Sequence, residues 1–130
     1  MLTCVRNATY RLATMEHNYL EYLPLSPATV HVLLALANGD LHGYGILLEV
    51  KRQSSGAYKM GPGTLYDNLK RLLSEELVEE IPAKGRLEKT RREYRLTSLG
   101  CDVLRAETER LSKVIKVARR SLRLAESTRA

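Results

Sequence analysis

From Cys101 to Ala125 the apolar residues return at alternating steps of three and four. The positions are Cys101, Leu104, Thr108, Leu111, Ile115, Ala118, Leu122 and Ala125, with Thr108 the polar exception. A seven-residue repeat of this kind draws one stripe down an α-helix. It predicts a helix from about Ser98 to Ala125, capped by Thr97. A lone amphipathic helix must bury its stripe on something. The preceding domain can cover the first turn or two. From Leu111 onward the stripe needs another surface, and a second copy of the chain is the economical one. Leu104, Leu111, Ile115, Ala118 and Leu122 are therefore the expected dimer contacts. A helix packed wholly within its own chain is the alternative.

The chain has 130 residues, enough for one ordinary domain. It contains no Trp or Phe, so its core must be built from Leu, Val, Ile and Ala, with seven Tyr as the aromatics. Ser26-Pro27 opens a first helix, Ser as N-cap and Pro at the first helical position. Its expected buried face is Val30, Leu33, Leu34 and Ala37, and Asn38-Gly39-Asp40 ends it. A second helix begins near His42-Gly43-Tyr44, draws apolar contacts from Leu47, Leu48 and Val50, and stops at Ser54-Ser55-Gly56. Ala57-Tyr58-Lys59-Met60 is too short for a helix and fits a brief strand. A third helix starts at Gly61-Pro62-Gly63-Thr64, with Leu65, Leu69, Leu72 and Leu73 as its stripe, and ends near Glu75-Glu76. The period then changes from helical to alternating. Val78–Ile81 leads out, and Arg92–Leu96 returns with Tyr94 and Leu96 on one face, as a half-buried strand requires. Three helices, a β-hairpin and a long helix form the winged helix-turn-helix order. Upstream, Leu12, Met15, Tyr19 and Leu23 fall at helical spacing in an arm of about 24 residues.

Several functions have no residues to carry them. No apolar run is long enough to cross a bilayer, and Met1–Arg6 lacks the apolar stretch of a secretory signal, so the expected location is cytoplasmic. Cys4 and Cys101 belong to no CxxC or Cys/His spacing and read as two reduced thiols. His17, His31 and His42 lack a matching set of Cys, Asp or Glu, so no metal is expected. Gly43-Tyr44-Gly45 and Gly61-Pro62-Gly63 do not match a phosphate-binding loop. His42 reads as a hydrogen-bonding residue at a helix start, and His31 as a partly buried one. No catalytic set and no cofactor are expected.

Charge points to a polyanion. Residues 84–95 hold Lys84, Arg86, Lys89, Arg91, Arg92 and Arg95 against Glu88 and Glu93, which is +4 of the chain's net +6. A basic hairpin tip can lie along phosphates without reading sequence. A solvated charge run is the alternative, and Arg95 can also pair with a local acid. The third helix turns Thr64, Asp67, Asn68, Lys70 and Arg71 outward, with Tyr66 at the edge. Asn pairs with adenine, and Lys and Arg reach guanine or phosphate. Gly63 lets the helix start approach a surface, where free N–H groups attract phosphate. Read alone, this helix is more readily a plain amphipathic one with a solvated face.

Leu41-His42-Gly43-Tyr44, Gly61-Pro62-Gly63-Thr64-Leu65-Tyr66 followed by Leu69 and Leu72, and Tyr94-Arg95-Leu96-Thr97 with Gly100 resemble the PadR family of transcriptional regulators in order and spacing. The similarity covers roughly residues 22–125, and the Pro-Gly-Thr-Leu-Tyr pattern is its specific part. The resemblance implies a homodimeric repressor on palindromic DNA, often near its own promoter, released in many members by a small molecule near the dimer interface. By position it implies that Thr64, Tyr66 and Lys70 face DNA, Tyr66 touching the backbone. The family often has Ser where this chain has Gly61. It usually has a Glu-Gly-Leu turn where this chain has Glu75-Glu76-Leu77, so either Glu76 takes that turn without glycine or the turn differs.

The expected fold is mainly α with a small β-hairpin: an arm over 1–24, a winged helix-turn-helix over 25–97, and a dimerisation helix and tail over 98–130, in the family's smaller, single-helix form. The expected function is sequence-specific binding of double-stranded DNA as a homodimer. The expected DNA-binding residues are Lys59, Gly63, Thr64, Tyr66, Asp67, Asn68, Lys70 and Arg71, with Lys84, Arg86, Lys89, Arg91 and Arg92 of the hairpin. A dimeric winged-helix interaction module without DNA binding and an RNA-binding winged helix are the rival readings.

Overall fold

The computed structural model describes residues 19–82 and 92–129. The elements are α1 (Pro27–Ala37), β1 (Leu41–His42), α2 (Gly43–Gln53), α3 (Pro62–Ser74), β2 (Val78–Pro82), β3 (Arg92–Leu96) and α4 (Ser98–Arg129), preceded by a 3-10 turn at Tyr19–Tyr22. The fold is mainly helical, with a small antiparallel sheet and a long C-terminal helix. The upstream arm as far as residue 18 and the hairpin tip over 83–91 lie outside the described residues.

Local chemistry sets the helix ends. The Ser26 hydroxyl accepts the Thr29 N–H at 3.2 Å, capping α1 with Pro27 at its first position. At the end of α3 the Leu77 N–H donates to the Leu72 carbonyl and the Glu76 N–H to the Leu73 carbonyl, with Glu76 at φ 60°. This is a Schellman close, a turn that normally takes glycine. Glu76 adopts it without glycine, the first of the two alternatives that the sequence left open. The Thr97 hydroxyl accepts the Gly100 N–H at 3.0 Å, capping α4, and donates to the Glu76 carbonyl at 2.6 Å. A Cβ on Gly100 would lie 2.0 Å from the Leu77 carbonyl oxygen, so glycine lets α4 seat directly on the α3–β2 turn.

The core surrounds α1. Val32, Leu33, Ala35 and Leu36 meet Ile46 and Val50 of α2, Leu65, Leu69 and Leu72 of α3, Leu77, Val78, Tyr94 and Leu96 of the sheet, and Val103 and Leu104 of α4. Of the expected α1 face, only Leu33 is fully buried; Val30 and Leu34 turn toward α4 instead. α1 is apolar nearly all round, so spacing alone left its phase open. In α2 the buried apolar residues are Ile46 and the expected Val50, while Leu48 is half exposed.

Three expectations need correction. Residues 57–60 form no strand. The sheet has three strands rather than two, in the order β1-β3-β2, with Leu41 opposite Tyr94 and His42 opposite Glu93. A two-residue strand carries no alternation to read. Cys101 is not a free thiol but is disulfide-bonded, to a partner outside the described residues. A pairing between residues remote in sequence leaves no local spacing.

The two halves of α4 have different surroundings. Cys101, Asp102, Val103, Leu104 and Glu107 are buried, Leu111 is half-buried, and residues 112–128 are exposed. The buried carboxylates tie the first half to the chain's start. Glu107, 1% exposed, accepts the Leu25 N–H at 2.8 Å and a bond from Arg110. Asp102 accepts the Tyr19 hydroxyl at 3.2 Å and the Arg105 guanidinium at 3.3 Å. The Arg110 hydrogen bond holds the Glu107 carboxyl below the usual carboxylate range, and the Leu25 N–H adds to this against the opposing effect of burial.

Candidate nucleic-acid interface

α3 is the helix on which the expected contacts converge. Leu65, Leu69 and Leu72 face the core, while Gly63, Thr64, Tyr66, Asp67 and Lys70 are exposed. The N-cap is Gly61, which offers no side-chain hydrogen bond to the first turn. A Cβ on Gly61 or Gly63 would meet nothing within 4 Å. Packing within the chain therefore gives no reason for either glycine, and the N–H groups at this end stand open to an anion. Among the described residues, the side chains of Thr64, Asp67 and Lys70 make no hydrogen bond or ion pair, and Lys59 lies exposed in the loop leading to α3.

Tyr66 is half exposed and joins two elements. A Cβ on Gly43 would lie 2.3 Å from the Tyr66 hydroxyl, so the ring tip rests on the first residue of α2. The N-cap of α2 is His42, also without a side-chain capping bond. The starts of α2 and α3 thus open side by side across Tyr66. The Leu-His-Gly-Tyr motif marked this place in the sequence, but not that its glycine makes room for Tyr66.

Asn68 and Arg71 belong elsewhere. The Asn68 carbonyl accepts the Thr29 hydroxyl at 2.8 Å and an Arg71 N–H at 3.1 Å, and its amide donates to the Thr64 carbonyl at 2.8 Å. Arg71 also donates to the Thr29 hydroxyl, which shares a 2.8 Å bond with Ser26. This network fastens the α1 cap to the flank of α3. Both ends of the Asn68 amide, expected to contact a base, are occupied within the chain. The partner of Asn68, buried Thr29, lies 39 residues away and left no signal in the local spacing.

In the hairpin, Arg92 pairs with Glu80 at 3.3 Å and Arg95 with Glu79 at 2.6 Å, both at the surface, where such pairs open readily. Lys84, Arg86, Lys89 and Arg91 lie outside the described residues. Tyr94 faces inward, and burial pushes its hydroxyl up. His31 is half-buried and stacks on Tyr58 with ring centres 4.1 Å apart.

The expected dimer residues define a second surface. Leu104 is buried, Leu111 half-buried, and Ile115, Ala118 and Leu122 are exposed. With Val30 and Leu34 of α1, Leu104, Leu111 and Ile115 line an open groove of about 800 Å³ whose rim carries Lys116, Arg119 and Arg123. No helix among the described residues is long and apolar enough to cross a membrane, and no group of three His, Cys, Asp or Glu could hold a metal.

Comparison with known proteins agrees with this architecture. Residues 32–106 match the model of the transcriptional regulator PadR-like family. The chain is 37% identical over 87 residues to an uncharacterised 37.1 kDa protein in transposon TN4556 of Streptomyces fradiae. That match covers 67% of this chain but only 24% of the relative's length. A PadR family transcription regulator from Clostridium difficile superposes with a TM-score of 0.65 at 23% identity, over 75% of this chain and 99% of that one. Bacillus subtilis PadR, in complex with operator DNA, superposes with a TM-score of 0.57 at 23% identity, over 64% of this chain and 47% of that one. At such identity these neighbours speak for the fold. The family match spans more than half the chain, and the protein belongs to the PadR-like family of transcriptional regulators.

Proposed function

We propose that this protein is a cytoplasmic repressor that binds a palindromic operator in double-stranded DNA as a homodimer. The free face of α3 carries the reading. Its glycines have no internal reason, its helix start is uncapped by a side chain, and Thr64 and Lys70 are unspent in the chain's own bonds. Thr64 and Lys70 reach bases, Tyr66 meets the backbone between the two helix starts, and Gly63 admits a phosphate. The basic hairpin tip, with Lys84, Arg86, Lys89, Arg91 and Arg92, follows the neighbouring phosphates, and Lys59 and Asp67 flank the reader. Asn68 and Arg71 act here as positioning residues that hold α3. Bacillus subtilis PadR, of the same fold, is captured on operator DNA, which favours this use of the fold.

The exposed stripe of α4 supports the dimer. Ile115, Ala118 and Leu122 gain an apolar surface only from another molecule, and a two-fold pair presents two α3 helices to two half-sites. A second copy on α4 also closes the groove against α1, the place for a small-molecule effector that releases DNA. Sequencing the fragments that the protein retains from genomic DNA tests the reading. A recurring palindromic motif is expected. Retention without any sequence preference, or none at all, would favour the interaction-module alternative.

A further inference from the structure

The second half of α4 carries a run of cations that extends beyond the groove rim, to positions that neither DNA reading nor dimer formation uses. From Arg110 to Ala125 the chain has six basic residues and no acidic one. Arg110 is held by Glu107. The other five, Lys113, Lys116, Arg119, Arg120 and Arg123, are all exposed, and among the described residues none forms an ion pair or hydrogen bond. At about 100° per residue they fall within a sector of about 120°, over a rise of about 15 Å. The apolar stripe through Leu111, Ile115, Ala118 and Leu122 is centred about 130° away, and Lys116, Arg119 and Arg123 stand on the side nearer the groove. Lys113 and Arg120 stand furthest from the stripe, so a second copy seated on it leaves them in water.

A row of cations at this density repels itself, and ordinary surface helices interleave acids to relieve this. The face wants a polyanion. Its chemistry separates the candidates. A protein partner needs a packed centre, usually aromatic, and α4 contains no aromatic side chain. Phosphates spaced along a strand need only cations at helical intervals, as this face supplies. α1 packs against both α3 and α4, and the strip lies in the exposed half of α4, beyond the part buried on the domain.

We propose that this basic face of α4 binds a second DNA duplex, without regard to sequence, so that one dimer bridges two segments. The inference rests on the DNA-binding reading above. Its test tethers a duplex selected for tight binding, loads the full-length protein, and adds a labelled random-sequence duplex. Wild-type protein should retain the labelled duplex at low salt and release it as salt rises. A variant with Lys113→Ala and Arg120→Ala, the two cations furthest from the stripe, should bind the tethered duplex as before and stay dimeric by sedimentation. Its capture of the second duplex should fall at least about tenfold, and the salt slope of that capture should drop by up to about 0.9 per cation removed. Binding of the tethered duplex with no capture by wild type, or equal capture by the variant, overturns this inference alone. Absence of binding to any duplex overturns the DNA-binding reading with it. Loss of the dimer in the variant would give the cations to the subunit interface instead. If wild type retains polyglutamate in place of DNA, and the variant does not, the partner is an acidic protein segment and the proposal falls.

Discussion

The free face of α3 and the free half of α4 both point away from the core, but they differ in what they lack. On α3 the exposed side chains are polar, two glycines leave the backbone bare, and the helix start has no side-chain cap. On α4 the side turned toward the groove is apolar, with Ile115 48% and Leu122 63% exposed. A surface that leaves N–H groups open suits an anion. A surface that leaves aliphatic side chains in water suits a copy of itself. On the proposed reading the two helices serve two different partners, and each assignment can be broken separately.

The largest effect is expected at the free half of α4. Leu111→Asp with Ile115→Asp removes two aliphatic contacts worth about 1.5–3 kcal/mol each when buried, weakening the dimer by about a hundredfold or more. Sedimentation at micromolar concentration reads this, with circular dichroism to check the fold. A dimer that persists moves the interface elsewhere. The seated half should respond differently. Gly100→Ala drives a Cβ into the Leu77 carbonyl, and backbone cannot yield as a side chain can. A loss of about 3 kcal/mol in folding stability is expected, read by denaturant unfolding. A change within error would mean that α4 is not seated on that turn.

Glu107 sharpens the contrast, since it acts through burial rather than a partner molecule. Its carboxyl is held below the usual range in the folded chain. The stability it contributes is therefore complete above the ordinary carboxylate pKa and is lost as pH falls through the lowered folded value. Glu107→Gln should cost about 2 kcal/mol at neutral pH and flatten the acid side of the stability profile. An unchanged acid side would show that another group controls it. The smallest effect is at Glu76, held at φ 60°. Glu76→Gly should relieve the left-handed strain and stabilise by up to about 1 kcal/mol. A thermal melt that moves downward would mean that the Glu76 side chain supports the turn.

Much of this was legible because it repeats. The heptad from Cys101 foretold both the length of α4 and the point near Leu111 where its own domain stops covering it. The alternation at Tyr94 and Leu96 foretold the inward face of β3, and Ser26-Pro27 foretold the start of α1. What escaped was non-periodic. β1 is two residues long and exists only by pairing with β3. Asn68 sits on the flank of the Leu65/Leu69/Leu72 stripe, and its partner Thr29, from another helix, cannot be read from spacing. Glu107 falls among charged residues typical of a solvated helix, and the Leu25 N–H that holds it lies 82 residues away. Val30 and Leu34 carried no phase because their helix is apolar on nearly every side.

The assignment of α3 as the reader is the central claim, and a binding selection on randomised duplexes tests it most directly. The set is wild type, Thr64→Ala, Tyr66→Phe, Lys70→Ala and Asn68→Ala, each checked for folding. Thr64→Ala should change preference at one position of the site by about 1–3 kcal/mol. Tyr66→Phe should weaken all duplexes alike, and Lys70→Ala should do one or the other according to whether it meets a base or a phosphate. Asn68→Ala should lower folding stability and select the wild-type motif. Unchanged preference and unchanged affinity in the Thr64, Tyr66 and Lys70 variants would contradict the account, because the face left open on α3 would then serve something other than DNA.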